Sequence, residues 1–161
     1  MKFYIKQKIF TWADQFSIYD GNGDERYYVK GEVFTFGKKL HLCSRGGTEL
    51  AYIEQKLLTF LPRYAISVGG NEIAEVVKEF AFFHNVYSVN GLGWRVDGNF
   101  FDHDYTVESE GRTIATVAKE WFTLGDAYEI NISDGIDPIP VLAVVLVIDA
   151  CIEAARGAAN H

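Results

Sequence analysis

The sequence predicts a mainly β (α+β) protein: a closed or nearly closed antiparallel β-barrel around a central hydrophobic C-terminal α-helix. Three observations predict it. Residues 2–132 read as short strands separated by Gly-rich turns. The segment after them, "DPIPVLAVVLVIDACIEAARG", is apolar on every side at helical spacing. A weak internal repeat also relates two strand-rich halves of the chain.

The strands come first. "FYIKQKIF" alternates, with Phe3, Ile5 and Ile9 on one face and Lys2, Tyr4, Lys6 and Lys8 on the other. "FSIYDGNGDERYYVKG" reads as a hairpin in which Asn22-Gly23 supplies the positive φ angles of the turn. Further hairpins are expected around Gly46-Gly47, Gly69-Gly70 and Gly111. "GGTELAYIEQKLLTFLPRYAISV" matches "EGRTIATVAKEWFTLGDAYEINI" about 64 residues later, setting Tyr64 on Tyr128, Ile66 on Ile130 and Gly47 on Gly111. The chain is thus expected to be one domain, 1–161, built from two pseudo-repeated β halves and a helix over 138–156.

That helix has its own boundary signals. Asp137 can cap it, Pro138 suits its first turn, and Gly157 is a natural stop. The nineteen residues between Asp137 and Gly157 would span about 28 Å. A transmembrane segment is not expected. The unbroken apolar run is about ten residues against the roughly twenty a bilayer needs, and Asp149 and Glu153 would lie in hydrocarbon. A helix without a polar face fits better as the plug of a barrel. Its last turns become amphipathic, with Asp149, Glu153 and Arg156 on one side where the plug would emerge.

Composition narrows the function. The net charge of −7 argues against nucleic acid, which calls for a basic face. Charge is uneven: residues 1–64 hold ten Lys/Arg against seven Asp/Glu, and residues 65–161 hold five against fifteen. Cys43 and Cys151 are expected to be buried thiols without a redox role. The N-terminus lacks the unbroken apolar segment of a secretory signal, so a cytoplasmic location is expected.

"MKFYIKQKIFTW", "YDGNGDERYYVKGEVFTFGKKLHL" and "DPIPVLAVVLVIDACIEAA" together resemble the LURP-one-related family, in its bacterial YxjI-type members. The likeness covers nearly the whole chain, and the terminal helix after a strand-only body is its most specific element. It implies the Tubby C-terminal-like fold shared with Tubby proteins and phospholipid scramblases, in which about twelve strands surround a central helix. Tubby relatives bind phosphoinositides through a basic groove, for which no match can be placed here. Scramblase relatives are linked to calcium and lipid, but a shared fold does not transfer either property.

Candidate sites are few. The lysine face of the first strand, Lys2, Lys6 and Lys8 with Lys38 and Lys39 nearby, could touch an anionic lipid surface at about 1 kcal/mol per residue. The plainer reading is an edge strand guarded by lysines, and it is preferred. "DGNGDE" starts like a calcium loop, but Glu25 and Gly31 stand where Gly and Glu are needed. In "FDHDYTVE" a strand would put Asp102 and Asp104 on one face and His103 on the other, so no metal site is expected. No catalytic motif and no cofactor fingerprint occurs. Asp149, with Glu153 and Arg156, is the residue set to examine first: an anchor for the plug, or a site at the barrel mouth. The expected function is a non-enzymatic cytoplasmic binding or adaptor domain for a protein partner or phospholipid head group. The alternative is a small-ligand carrier or enzyme using a pocket at one end of the barrel.

Overall fold

A computed structural model of the chain describes residues 1–7, 15–81, 84–120 and 126–159. Twelve strands precede one helix. They are β1 (Lys2–Gln7), β2 (Phe16–Asp20), β3 (Glu25–Gly31), β4 (Lys39–Ser44), β5 (Glu49–Gln55) and β6 (Arg63–Val68). The second six are β7 (Asn71–Ala81), β8 (His84–Asn90), β9 (Trp94–Asn99), β10 (Asp104–Ser109), β11 (Arg112–Glu120) and β12 (Asp126–Ile132), followed by α1 (Pro138–Ala159). Each strand pairs antiparallel with its neighbour in sequence, and β12 returns to β1 in a register from Lys2↔Asn131 to Gln7↔Asp126. The barrel is therefore closed. The Met1 ammonium donates to the Ile132 carbonyl at 2.9 Å, and the Ile132 N–H donates to the Met1 carbonyl at 2.8 Å. Closure leaves no edge, which corrects the edge-strand reading of β1: β12 and β2 bond it on both sides.

An up-and-down path sends successive connections to alternate ends. The end where α1 enters, called lower here, holds the short turns after β2, β4, β6, β8 and β10. Gly69 and Gly70 (φ 60° and 81°) and Glu110 and Gly111 (φ 50° and 74°) have the paired positive angles of a two-residue hairpin turn. The Asn22-Gly23 turn differs from expectation, because only Gly23 has a positive φ, at 84°. Its closure comes from Asp20, whose carboxylate accepts from the N–H of Asn22 at 2.9 Å and of Asp24 at 3.0 Å.

The helix starts as its sequence suggests: Asp137 Oδ1 accepts the Ile139 N–H at 3.0 Å, one residue after Pro138. Val141 through Ile148 are eight successive residues at 0% exposure. Ile18, Ile53, Val76, Val96, Val107 and Ile130 join them in one core from strands all round the wall. The helix lies nearest β5 and β6, where the small Ala51 on β5 leaves room for it. By length and composition alone α1 could cross a bilayer, but here the barrel covers its apolar surface. It continues past the expected stop at Gly157 to Ala159. Gly157 has no positive φ and no neighbour within 4 Å of a Cβ position, so nothing there ends the helix.

Two substitutions separate these roles. Leu142→Ala should cost about 2–5 kcal/mol of unfolding free energy in a denaturant titration. Gly157→Ala should cost nothing and gain up to about 1 kcal/mol, since it lies in exposed helix.

Candidate functional site at the upper mouth of the barrel

At the upper end the plug passes from a dry interior into water, and its first charged residue lies at that passage. Four tyrosines ring it: Tyr64, Tyr87, Tyr105 and Tyr128, one each from the alternate strands β6, β8, β10 and β12. All four are buried. Tyr128 donates its hydroxyl to Asp149 Oδ2. His103 stacks on the Tyr128 ring, with centroids 4.4 Å apart and planes 6° from parallel, and its Nδ1 lies 3.8 Å from Asp149 Oδ1. Phe100 packs on Tyr87 edge-on at 4.8 Å and on Tyr105 at 5.3 Å. The collar supplies apolar ring bodies to the core and hydroxyls to the mouth.

Electrostatics follow from this burial. The Asp149 side chain keeps 14% exposure, but its Oδ1 is sealed from water and, like the Tyr105 hydroxyl, has no hydrogen-bond partner among the described residues. Burial pushes the Asp149 carboxyl up to about 7; the Tyr128 hydroxyl and Arg156 pull it down, while Glu153 pushes it up. Burial, then the Asp149 charge, raises Tyr105 and Tyr128 well above the usual phenol range. Burial likewise pushes the Cys151 thiol up to about 11, against the Tyr87 hydroxyl that lowers it. Cys43 and Cys151 are both free and buried.

The other predicted residues are dispersed. Glu153 pairs with Lys38 across the mouth at 3.4 Å, and Arg156 donates to the Phe101 carbonyl at 3.2 Å. Burial lowers Lys38, and Glu153 works against that. Lys2 sits at the lower end, 3.4 Å from Glu129, and Lys6 lies over the Tyr19 ring at 5.0 Å. Lys8 lies outside the described residues. Lys39 opens β4, three strands from β1 or roughly 14 Å along the sheet, so the four described lysines do not form one patch. His103 is in a turn with φ 49° instead of a strand, while Asp102 accepts from Asn99 Nδ2 at 2.6 Å on the surface. Sequence reasoning placed His103 away from Asp102, and missed that it faces Asp149. On the outer wall, His41 bridges Glu49 and Glu32, the latter at 3.1 Å, in an open depression of about 540 Å³ that Tyr52 also lines. Burial opposes charge on His41, but the two carboxylates outweigh it and raise its pKa.

A second feature of this end was not singled out from the sequence. Among the described residues, the exposed large apolar side chains all lie at the upper end, Met1 excepted. Phe34, Leu58 and Phe60 are fully exposed and Phe36 is 91% exposed, with Phe80 and Phe101 beside the mouth. Phe34 and Leu58 also hold φ values of 58° and 60°, unusual for residues with large side chains. The loops that carry these residues are fastened together. Lys38 N–H donates to Gln55 Oε1 at 3.0 Å, Gln55 N–H donates to the Lys38 carbonyl at 2.8 Å, and Gly37 lies under Leu57.

With this geometry in hand, the family model described as LURP-one-related matches residues 1–149. The chain belongs to the LURP-one-related family. The match takes in the whole barrel and runs to Asp149. The chain is 34% identical over 149 residues to the Uncharacterized protein YxjI of Bacillus subtilis, covering 92% of each chain. An X-ray structure of an Arabidopsis thaliana protein superposes with a TM-score of 0.69 at 18% identity, over 93% of this chain and 90% of that one, and shares the fold.

For this LURP-one-related barrel the mouth chemistry has a pH signature. A carboxyl whose folded pKa is raised, here to about 7 from 3.8, binds its proton more tightly when folded. That stability is complete below the unfolded pKa and is lost as pH climbs through the folded one. Asp149→Asn cannot ionise and keeps an acceptor for Tyr128. At about pH 8 the variant should be more stable than wild type by about 1–4 kcal/mol, with the margin shrinking toward about pH 5. Urea titrations at the two pH values check this.

Proposed function

We propose that the protein is a non-enzymatic cytoplasmic binding or adaptor domain, with a protein partner or phospholipid head group as its ligand and the upper end of the barrel as its contact face. One observation carries the reading. The lumen that would hold a substrate is filled by α1, with eight successive residues at 0% exposure, while the large apolar side chains exposed among the described residues gather at the upper rim. A small-molecule site is normally concave and encloses most of its ligand. Two depressions lined by described residues are open and lie on the outer wall, one by His41 and one of about 420 Å³ lined by Phe36, Lys39 and Lys56. Two buried free thiols suit a reducing compartment.

Native mass spectrometry of freshly purified protein tests the reading. The expected spectrum holds the mass of the bare chain. A small molecule other than a phospholipid retained in stoichiometric amount would indicate a carrier or enzyme and overturn it.

A further inference from the structure

Two neighbouring upper-end loops combine basic and large apolar residues. Residues 32–39, the β3–β4 connection and the first residue of β4, read EVFTFGKK, and residues 56–63 read KLLTFLPR, with four basic side chains and one acidic, Glu32, between them. Phe34, Leu58 and Phe60 are fully exposed, and Phe36 nearly so. Three phenylalanines and a leucine together present roughly 700 Å² of apolar surface to water.

We infer that these two loops dock the barrel on an anionic phospholipid bilayer, with Phe34, Phe36, Leu58 and Phe60 at the boundary between head groups and acyl chains and Lys38, Lys39, Lys56 and Arg63 at the phosphate level. The inference rests on the upper end being the contact face and names its partner. Shape favours a bilayer over a protein. The apolar residues are separate convex tips, and protein interfaces centre their strong contacts in packed, complementary pockets. A bilayer needs no such match, and accepts protruding apolar side chains flanked by basic ones.

Charge orients the molecule the same way. The lower turns carry Asp24, Glu110, Asp134 and Asp137 against Arg45, whereas the described upper loops carry Glu32 and Asp102 against Lys38 and Lys56, so an anionic surface repels the lower end more. The carboxylates that pair with the loop cations, Glu75 with Lys56 at 2.9 Å and Arg63 at 2.7 Å, and Glu153 with Lys38 at 3.4 Å, belong to β7 and α1. The one carboxylate within the loops, Glu32 at the root of the first, faces His41 at 3.1 Å. Apolar insertion is therefore the main attraction, and the cations select for anionic lipid.

Co-sedimentation with vesicles of about two parts phosphatidylcholine to one part phosphatidylglycerol tests this at low ionic strength. Wild type should pellet with these vesicles, and much less with phosphatidylcholine alone. The combined variant Phe34→Ser, Phe36→Ser, Leu58→Ser, Phe60→Ser should bind at least about tenfold more weakly with an unchanged melting temperature, since those side chains are exposed. Leu58→Cys carrying an environment-sensitive dye should shift to the blue on vesicles, and the two native thiols are buried and will not compete for label. Wild type remaining in the supernatant, four-serine protein binding like wild type, or a dye that reports water throughout would each overturn the inference. A wild-type dimer that the four serines convert to monomer, without vesicle binding, would overturn it in favour of a second copy of the chain. None of these results bears on the native mass spectrum, so failure here and failure of the binding-domain reading are told apart.

Discussion

The structure depends on one reciprocal requirement: α1 has no polar face, and a closed sheet of twelve strands has an interior that must be filled. Twelve strands at about 4.8 Å spacing and about 40° tilt enclose a tube of roughly 12 Å backbone radius. That is close to the about 10 Å at which packed layers of secondary structure stand apart, so one helix fills the lumen and two would not fit. The helix is rich in Val141, Val144, Val145, Val147 and Ile148, whose branching makes them indifferent helix formers. Enclosure, not propensity, makes this segment helical. The wall gains equally, because an empty lumen would leave its inward row without partners.

The difficult place for such a design is the mouth, where a dry helix becomes a wet one within a turn. The tyrosine collar meets that difficulty by giving the core an aromatic ring and the mouth a hydroxyl on each of four alternate strands. Asp149 remains costly there. A buried oxygen without a partner forfeits about 1–3 kcal/mol, and a carboxylate forfeits more than a carboxyl. Proton uptake relieves part of that cost, which is why the group is held near neutrality. The first charge after the apolar run of the plug therefore sits where its ionisation bears on stability.

Legibility in the sequence divides along physical lines. The Gly-rich turns and the Asp137-Pro138 helix start are local, and both read directly from short segments. Asp149 also stood out locally, as the first charge after an apolar run. Its partners did not. His103 and Tyr128 reach it from a turn and a strand brought there by barrel closure, and no periodicity connects residue 103 with residue 149. The strand-one lysines misled for the same reason, because an edge and an interior strand of a closed barrel carry the same alternation. The repeat register that sets Tyr64 on Tyr128 puts both in the collar, on β6 and β12. The exposed phenylalanines were illegible in another way: an apolar residue in a strand-rich text reads as core, and only the folded loops show Phe34, Phe36 and Phe60 in water.

The two ends of the barrel consequently answer to different demands. Lower-end turns are two to five residues long and glycine-rich, and they carry no exposed large apolar side chain. They serve register and closure. The described upper loops keep apolar tips in water and two large residues in a left-handed conformation that costs about 1–2 kcal/mol apiece. Such costs persist only where the surroundings over-determine the backbone. Here they do: the paired bonds between Lys38 and Gln55, and Gly37 seated under Leu57, fix the roots of both loops while leaving the tips unsupported. Fastened roots beneath exposed tips hold apolar side chains in water, whereas a loop whose apolar residues served only folding would turn them inward.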